Sequence, residues 1–300
     1  MTRVIVTNLY PGHFHFEPLC MSLTPAGYEV VSISRRKGGQ PRYDGPSAGQ
    51  FIFNYPMSRD LVRHILRRCR VGEPAVVMMD DPLAFFDENI NRLIVPVLKA
   101  AARVYTSTDN MLPVYRSIGV NAKLLVGLGN PQYDVTEPAS EAEMEYDWGF
   151  IGTLIPQRFR FFWQLKQLLP DLRHYFVTEG FGPEAVKQRI RRTRCNIAYG
   201  NFSDITDFKS NSSTLRAWEF PYAGAFILHD YRPLILKYFE EGESIIMFRS
   251  VEECASLILH YKERPEERAR IVHQARQIVG RRSMLKFFPD LFMELSGAKE

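Results

Sequence analysis

Residues Asn211–Asp230 have the sequence NSSTLRAWEFPYAGAFILHD, and this segment predicts an α/β fold. Polar residues precede an amphipathic helix over Ser213–Tyr222, and the chain then runs through Gly224 into a buried strand. N–H groups at such a helix start attract anions, and Arg216 and Glu219, three residues apart, share the face of the first turn. An Arg that neutralises a phosphate, beside a carboxylate that accepts hydrogen bonds from a vicinal diol, suits a nucleotide. The same spacing also fits an ordinary capped helix with a surface ion pair.

The alternation of strands and helices extends over the whole chain. In the first half it covers Val4–Asn8, Phe16–Leu23, Tyr28–Ser34, Ser58–Cys69, Ala75–Asp80, Asn89–Ala101, Val104–Thr108, Met111–Ile118 and Ala122–Val126. In the second half it covers Trp148–Gly152, Phe159–Leu169, His174–Thr178, Glu184–Arg192, Asn196–Tyr199, Ser213–Tyr222, Ala225–Leu228, Leu234–Phe239 and Ser244–Phe248, followed by helices from Val251 onward. Such alternation builds parallel sheets with helices on both faces.

The predicted architecture is α/β, with two doubly wound Rossmann-like domains that face a central cleft and a helical C-terminal tail. The chain has 300 residues and 45% hydrophobic content, which is enough for two cores of about 150 residues each. The stretch 130–146 is rich in Pro, Glu and small residues and predicts a linker. We therefore expect an N-terminal domain over 1–129, a C-terminal domain over 147–275 and a tail over 276–300.

Charge and cysteine content limit the classes of partner and compartment. The net charge of +4 comes from scattered Lys and Arg with local runs at Arg35–Lys37 and Arg189–Arg194, which fits an anionic ligand better than an extended nucleic-acid surface. The four cysteines form no CxxC pair, which argues against a zinc site or a disulfide framework. Met1–Asn8 lacks the regions of a signal peptide, and no apolar run approaches the roughly 20 residues that cross a bilayer, so we expect a cytoplasmic protein without an integral membrane segment.

Ligands of doubly wound domains bind at the loops that follow the strands. The first strand of the second half ends at Gly152 and leads to Arg158, a turn that lets backbone N–H groups approach an anion with a cation at the next helix. The second strand ends at Thr178–Gly182, which admits a flat base and includes the carboxylate of Glu179. Each glycine alone also fits an ordinary tight turn. Together with Ser212, Arg216 and Glu219, these turns predict a diphosphate and ribose pocket.

The first half also places polar side chains after its strands. They are His13, His15, Asp80, Asp81, Thr108 and Asp109. A histidine or carboxylate at this edge can act as general base for an acceptor hydroxyl, although each also fits a turn or a packed residue. Adjacent side chains on an extended backbone diverge, so we predict no metal site at Asp80 and Asp81. The catalytic candidates are His13, Asp81 and Arg216.

Several enzyme classes lack their usual motifs in this chain. The first strand is not followed by GxGxxG, since Asn8–His13 holds a single glycine, which argues against a nicotinamide or flavin dinucleotide. The sequence contains no GxxxxGK[ST] of P-loop proteins and neither GxSxG nor HExxH. Hydrolase interpretations therefore have no motif to support them.

Several motifs follow one another in the second half. The range Trp148–Arg158 contains a Phe-Ile-Gly-Thr turn with a downstream Arg. The range Leu215–Asp230 contains an Arg-x-x-Glu helix that ends in Ala-Gly and is followed by a strand that ends in Asp. The range Leu234–Ile246 contains a Phe-x-x-Gly-Glu segment. The pattern continues through Ser250–Cys254 and Tyr261–Arg268. This order resembles the GT-B glycosyltransferases, most closely the CgeB-like group with a "glycosyl transferases group 1" type domain. The resemblance covers most of residues 148–275, and the first half more loosely through Asp80-Asp81 and Tyr105–Asp109.

The resemblance implies transfer of a sugar, as in a hexosyltransferase, from a nucleotide-diphosphate sugar held by the second domain to an acceptor hydroxyl held by the first. It implies neither a metal nor a bound cofactor, because Arg and a helix N-terminus stabilise the leaving diphosphate. Glu219 resembles the ribose-binding carboxylate of the family, Arg216 and Arg158 would lie near the diphosphate, and Thr153 and Ser213 would contact the same group. The predicted donor-binding residues are Gly152, Thr153, Arg158, Glu179, Ser212, Ser213, Thr214, Arg216 and Glu219.

Three functions stay open at this point. The first is a glycosyltransferase that acts on a small molecule, a glycan or a cell-surface precursor. The second has a DNA base such as hydroxymethyl pyrimidine as acceptor, is suggested by the basic runs, and predicts salt-dependent DNA binding. The third is a nucleotide-sugar-binding protein without turnover. Asn211 suggests the third, because it stands where the E-x7-E pattern of the family has its first Glu, and this departure also leaves the retaining mechanism open.

Overall fold

The computed structural model describes residues 2–7, 16–33, 45–53, 58–79, 88–135, 137–177, 182–200 and 214–297. The chain divides into two compact units, of which the first comprises Met1–Val126 with Met284–Glu300 and the second Gly127–Ser283. The ten α-helices of the described residues are α1 (Phe16–Leu23), α2 (Arg59–Arg70), α3 (Glu88–Ala100), α4 (Leu112–Ser117), α5 (Pro156–Leu168), α6 (Pro183–Arg191), α7 (Arg216–Tyr222), α8 (Val251–Lys262), α9 (Pro265–Arg281) and α10 (Met284–Leu295). Among these helices, none has both the length and the apolar character needed to cross a membrane.

The first unit contains a six-stranded parallel sheet. Its strands are β1 (Thr2–Thr7), β2 (Tyr28–Ile33), β3 (Gly49–Phe53), β4 (Ala75–Met79), β5 (Arg103–Thr106) and β6 (Lys123–Leu124). Their order is β2-β1-β3-β4-β5-β6, and the register pairs Val4 with Val30 on one side and with Gly49 on the other. The predicted helix over Ser58–Cys69 agrees with α2, and the Ser58 hydroxyl caps this helix by accepting a hydrogen bond from the Leu61 N–H at 3.3 Å.

Strand β3 lies at the centre of this sheet, between β1 and β4, and the sequence does not predict it. All five of its residues are buried, so no alternation of polar and apolar side chains marks it. It also begins with Gly49 and Gln50, which are poor strand formers. Gln50 is buried, and its amide nitrogen donates to the Ile65 carbonyl oxygen at 3.4 Å.

Helix α10 completes the core of the first unit from the C-terminal part of the chain. Phe288 meets Phe51 of β3 edge-on with ring centroids 5.3 Å apart, and Phe292 lies 6.1 Å from Tyr28 of β2. The sequence predicts one helical tail over 276–300. In the structure α9 runs to Arg281 within the second unit, and α10 is a separate helix of the first unit.

The second unit contains a five-stranded parallel sheet in the order β11-β10-β9-β7-β8. Its strands are β7 (Tyr146–Ile151), β8 (His174–Val177), β9 (Thr193–Ala198), β10 (Ile227–Asp230) and β11 (Ile246–Phe248). Both faces are covered, because Ile197 and Leu228 belong to one buried cluster and their neighbours Ala198 and Ile227 to another. The chain passes from β7 to β8 on one side and then to β9 on the other. The order of strands therefore reverses between β7 and β9, which is the point where doubly wound sheets bind ligands.

The segment before β7 packs onto the second unit. Glu141 pairs with Arg194 at 2.6 Å and Glu145 with Arg192 at 2.6 Å, while Asn130 is buried. The second unit thus begins at Gly127, whereas the sequence predicts a linker over 130–146. Proline and acidic residues give this stretch a linker-like composition, but the acidic residues form ion pairs with the arginines that flank and enter β9.

Candidate functional site

The point where the second sheet reverses its strand order brings two glycine-containing loops together. Gly152 follows β7, and Gly200 follows β9. A Cβ atom on Gly152 would lie 2.1 Å from Nη2 of Arg216, and one on Gly200 would lie 1.8 Å from Nη2 of Arg232. A guanidinium group thus lies directly on each glycine. Side chains larger than hydrogen at either position would displace an arginine.

Arg158 joins these two loops from the first turn of α5. Its Nε donates to the Tyr199 carbonyl oxygen at 3.0 Å, and its Nη1 donates to the Thr153 carbonyl oxygen at 2.9 Å. The side chain is buried. Burial lowers the pKa of Arg158 to about 9, with a further contribution from the positive charge of Arg216. The group stays charged at neutral pH, so its positive charge is held inside the site.

Arg216 is the first residue of α7 and points back to the end of β7. Its Nε donates to the Ile151 carbonyl oxygen at 2.7 Å, and its guanidinium carbon lies 5.1 Å from the centroid of the Phe150 ring. The guanidinium of Arg158 lies 5.2 Å from the same ring, and such cation–π contacts are favourable. Gly152 has a φ of +142°, which favours glycine independently of the contact with Arg216. Gly152, Arg158 and Arg216 thus lie close together, and their predicted role in binding a donor stays a prediction.

Glu219 lies one turn further along α7 and is partly buried. Its Oε1 accepts a hydrogen bond of 3.3 Å from Nδ2 of Asn130. Burial raises the pKa of Glu219, while the hydrogen bond from Asn130 and the positive charge of Arg216 oppose this rise. Arg216 and Glu219 thus each bind a different strand or turn of the second unit, and the interpretation of this pair as a surface ion pair is wrong.

A buried network of polar side chains lies next to these residues, and most of it is not predicted from the sequence. Nη2 of Arg232 donates to Oδ2 of Asp230 at 2.8 Å, and His229 places Nδ1 2.6 Å from the Asp230 carbonyl oxygen. Nε2 of His229 lies 2.9 Å from the hydroxyl of Thr214. Burial alone would raise the pKa of Asp230, but Arg232 and His229 bring it below its ordinary value. Thr214, predicted to contact the donor, is therefore bound to His229 through its hydroxyl.

One signal in the sequence could have indicated this network of polar side chains. Asp230 and Arg232 stand two residues apart directly after a buried strand, where a charged pair needs a structural or functional reason. The site contains three guanidinium groups, those of Arg158, Arg216 and Arg232, and two carboxyl groups, those of Asp230 and Glu219. The excess positive charge at this edge of the sheet is suited to a diphosphate.

Five predicted site residues lie outside the described residues, namely His13, Asp81, Glu179, Ser212 and Ser213. Thr153 is exposed and contributes its carbonyl oxygen to Arg158. In the first unit Thr108 is buried and precedes a 3₁₀ turn over Asp109–Met111. Within the described part of the chain, no group of three or more His, Cys, Asp or Glu side chains could hold a metal ion.

Part of the second unit is similar in sequence to a known protein family. Residues 157–284 match the family model described as "Glycosyl transferase-like". No curated protein matches the chain significantly. The match begins in α5 and ends at α10, so it includes Arg158, Arg216, Glu219 and Arg232.

Several solved glycosyltransferases have a similar fold over their whole length. Sucrose-phosphate synthase from Thermosynechococcus elongatus has a TM-score of 0.66 at 12% identity, with 100% of each chain covered. HepE from Anabaena, in complex with UDP and glucose, has a TM-score of 0.62 at 11% identity and the same coverage. An alpha-glucosyltransferase in complex with UDP-glucose and DNA has a TM-score of 0.67 at 10% identity, covering 98% of this chain and 99% of the other.

The chain has the GT-B fold, as the sequence predicted, with two parallel sheets of six and five strands. The match of residues 157–284 to the family model supports a glycosyltransferase enzyme. The CgeB-like subgroup stays a prediction. The cytoplasmic location and the independence from metal also stay predictions.

Proposed function

We propose that the protein transfers a sugar from a nucleotide-diphosphate sugar to an acceptor hydroxyl and that its second unit binds the donor. The observation that carries this proposal is the group of three arginines at the point where the second sheet reverses. The guanidinium groups of Arg158, Arg216 and Arg232 contact the ends of β7 and β9 and the loops that follow them, and Glu219 lies one helical turn beyond Arg216. Cationic groups beside a carboxylate match a diphosphate that continues into a ribose diol.

Each residue has a proposed role in this reaction. The bond between the anomeric carbon and the diphosphate oxygen breaks, and negative charge develops on the leaving diphosphate. Arg216 and Arg158 stabilise that charge because they are already held in place before the donor binds. Glu219 accepts hydrogen bonds from the ribose hydroxyls, and Gly152 lets the backbone approach the phosphates. The guanidinium groups supply the counter-charge, so we propose that the reaction needs no metal.

The acceptor hydroxyl forms the new bond to the sugar and loses its proton to a base. His13 and Asp81 are the proposed bases. Glu179, Ser212 and Ser213 are proposed to complete the donor pocket. These five roles rest on the sequence and its resemblance to the family.

A small molecule or a glycan is the proposed acceptor, and one observation disfavours DNA. Of the two basic runs that suggested a nucleic acid, Arg189–Arg194 is engaged within the second unit, and Arg35–Lys37 lies outside the described residues. Arg192 and Arg194 pair with Glu145 and Glu141, and the guanidinium of Arg189 lies 5.3 Å from the centroid of the Tyr175 ring. Arginines that are paired with carboxylates offer less charge to phosphates. DNA binding by the alpha-glucosyltransferase is therefore a property of that protein, and we do not extend it to this chain.

The first experiment is a thermal-shift measurement with UDP, GDP, ADP and TDP and with their sugars. A ligand that binds only the folded state raises the melting temperature by mass action. A rise with one base identifies the donor class, and hydrolysis of the matching nucleotide sugar then separates an enzyme from a binding protein without turnover. A flat response over the whole panel would contradict the proposed function.

A further inference from the structure

Asn130 is a buried residue that contacts the proposed ribose-binding carboxylate from outside α7. It is 1% exposed, and its Nδ2 donates to Oε1 of Glu219 at 3.3 Å. The two residues are 89 positions apart in the chain. The contact therefore depends on the packing of the segment before β7 against α7.

The side-chain amide of Asn130 has one orientation available to it. Its Oδ1 accepts a hydrogen bond from the Gln132 N–H at 3.0 Å, at the start of a 3₁₀ turn over Pro131–Tyr133. Because the oxygen is engaged on that side, the amide nitrogen must face Glu219. An amide that is fixed by one hydrogen bond can orient the group at its other end.

The backbone on both sides of Asn130 is also fixed. The Gly129 N–H donates to the Arg282 carbonyl oxygen at 2.9 Å, and a Cβ atom on Gly129 would lie 2.9 Å from Cγ1 of Val279. On the other side, Pro131 is buried and the Tyr133 N–H donates to the Asn130 carbonyl oxygen at 3.0 Å. Asn130 is thus held by α9 and by the turn that follows it.

The charged and titratable groups that face Glu219 are Arg216 from its own helix and Tyr133 from the turn. Burial raises the pKa of Tyr133, and the negative charge of Glu219 raises it further, so the phenol is neutral at physiological pH. Burial also raises the pKa of Glu219, which the contacts with Asn130 and Arg216 counteract. Removal of the donor at position 130 would leave Arg216 alone to favour the ionised carboxylate.

We propose that Asn130 is a positioning residue for Glu219, which holds Oε1 and directs Oε2 toward the ribose diol of the donor. This inference rests on the proposed function for the role of the diol. That Asn130 fixes the carboxylate of Glu219 does not depend on the proposed function. Asn130 acts through Glu219 and needs no contact with the donor.

The first test measures Glu219 itself and needs no ligand. The carboxyl carbon of Glu219, assigned with Glu219→Gln, is titrated by ¹³C NMR in the wild type, in Asn130→Asp and in Asn130→Ser. Both substitutions keep an oxygen that can cap Gln132. Asn130→Asp puts a second carboxyl group next to Glu219, so one of the two keeps its proton to a higher pH. We expect the titration of Glu219 to move to higher pH in both variants and to stay unchanged in the control Gln132→Ala.

The second test measures binding of UDP, or of whichever of GDP, ADP and TDP stabilises the wild type. We expect Asn130→Asp to weaken the Kd by about tenfold or more. The loss should grow as the pH falls, because Glu219 becomes protonated at a higher pH than in the wild type. A variant that only damaged the fold would lose affinity equally at every pH. Asn130→Ser should show a smaller loss with the same direction of pH dependence.

A double-mutant cycle shows whether Asn130 acts through Glu219. In Asn130→Asp/Glu219→Gln the amide and the carboxylate exchange places, so the hydrogen bond can form in the opposite direction. The two effects on the Kd should then fall well short of additivity. Additive effects, or a Glu219 titration that is identical in the wild type and both Asn130 variants, would overturn the inference. If no nucleotide raises the melting temperature of the wild type, the proposed function is overturned. The NMR titration of Glu219 still decides the role of Asn130 in that case.

Discussion

Helices α2 and α7 each carry an arginine and an acid three residues apart, and the two pairs behave differently. On α2, Asp60 and Arg63 form an ion pair of 3.2 Å with side chains 51% and 74% exposed. On α7, Arg216 turns to the Ile151 carbonyl oxygen and Glu219 to Asn130. The spacing is the same, so the difference comes from the surroundings. A charged pair at the carboxyl edge of a doubly wound sheet is held by backbone and by distant side chains, and is thereby prepared to bind a ligand.

The largest expected effect concerns the buried pair of Asp230 and Arg232, each 1% exposed. Arg232→Met leaves the Asp230 carboxylate buried without its main partner, and we expect the free energy of unfolding to fall by about 3–5 kcal/mol. Urea denaturation of the two proteins measures this difference. Asp230→Asn combined with Arg232→Met should recover part of the loss. A fall below about 1 kcal/mol would show that this pair resembles a surface ion pair.

The next effect compares the two helices directly. Arg216→Ala and Glu219→Ala should each weaken donor binding by about 2–4 kcal/mol, because a charged contact to the donor is lost in a partly buried site. Asp60→Ala and Arg63→Ala are the matched controls and should change stability by about 0.5 kcal/mol or less and donor binding not at all. Titration calorimetry with the nucleotide identified by thermal shift measures both. Equal donor affinities in all four variants would remove the distinction between the helices.

A smaller effect separates backbone strain from contact with arginine. Gly152 has a φ of +142° and its added Cβ would clash with Arg216, whereas Gly72 has a φ of +90° with no atom within 4 Å of the added Cβ. Gly72→Ala should lower the free energy of unfolding by about 1 kcal/mol through strain alone. Gly152→Ala should lower it by about 1–3 kcal/mol and weaken donor binding as well. Equal changes in both variants, with donor binding intact, would show that Arg216 can move aside.

The smallest effect is a difference in pH dependence between the two acids of the site. The folded state holds the pKa of Asp230 below its ordinary value of about 3.9, so its ionised form stabilises the fold above that pH, and this contribution is lost on acidification. The pKa of Glu219 is raised above its ordinary value of about 4.3, so its stabilising contribution is present in acid and is lost as the pH rises.

Glu219→Gln should therefore raise the free energy of unfolding at neutral pH, although it weakens donor binding. Asp230→Asn should lower the free energy of unfolding at neutral pH, and that difference should shrink in acid. Denaturation curves recorded over a range of pH measure both. Lower stability of Glu219→Gln at neutral pH would mean that the contacts of Glu219 outweigh its burial.

The sequence predicts most of the fold because buried strands and amphipathic helices have distinct periods. Strand β3 was not predicted, because it shows no alternation and begins with Gly49 and the polar Gln50, whereas the equally buried β4 is a continuous apolar run. For the site, the closeness of Gly152, Arg158 and Arg216 could be predicted, because they lie in a turn and at two helix starts that follow strands of one sheet. Their role in binding a donor stays a prediction. Asn130 was not, because its contact with Glu219 joins segments 89 residues apart and its surroundings have the composition of a linker. Arg232 was missed although it stands two residues after Asp230 at the end of a buried strand, and its contact with Gly200 could not be predicted because it joins distant parts of the sequence.

Helix α10 has a consequence for synthesis of the chain on the ribosome. The residues that complete the second unit, Gly127–Ser283, are contiguous, so that unit can fold as soon as Ser283 has emerged. The first unit is made earlier but lacks Phe288 and Phe292 until Met284–Leu295 has been translated. Its aromatic partners Phe51 and Tyr28 stay uncovered during that interval. The unit that is translated first is therefore the last to be completed, and a fragment that ends at Val126 would expose an apolar surface that favours aggregation.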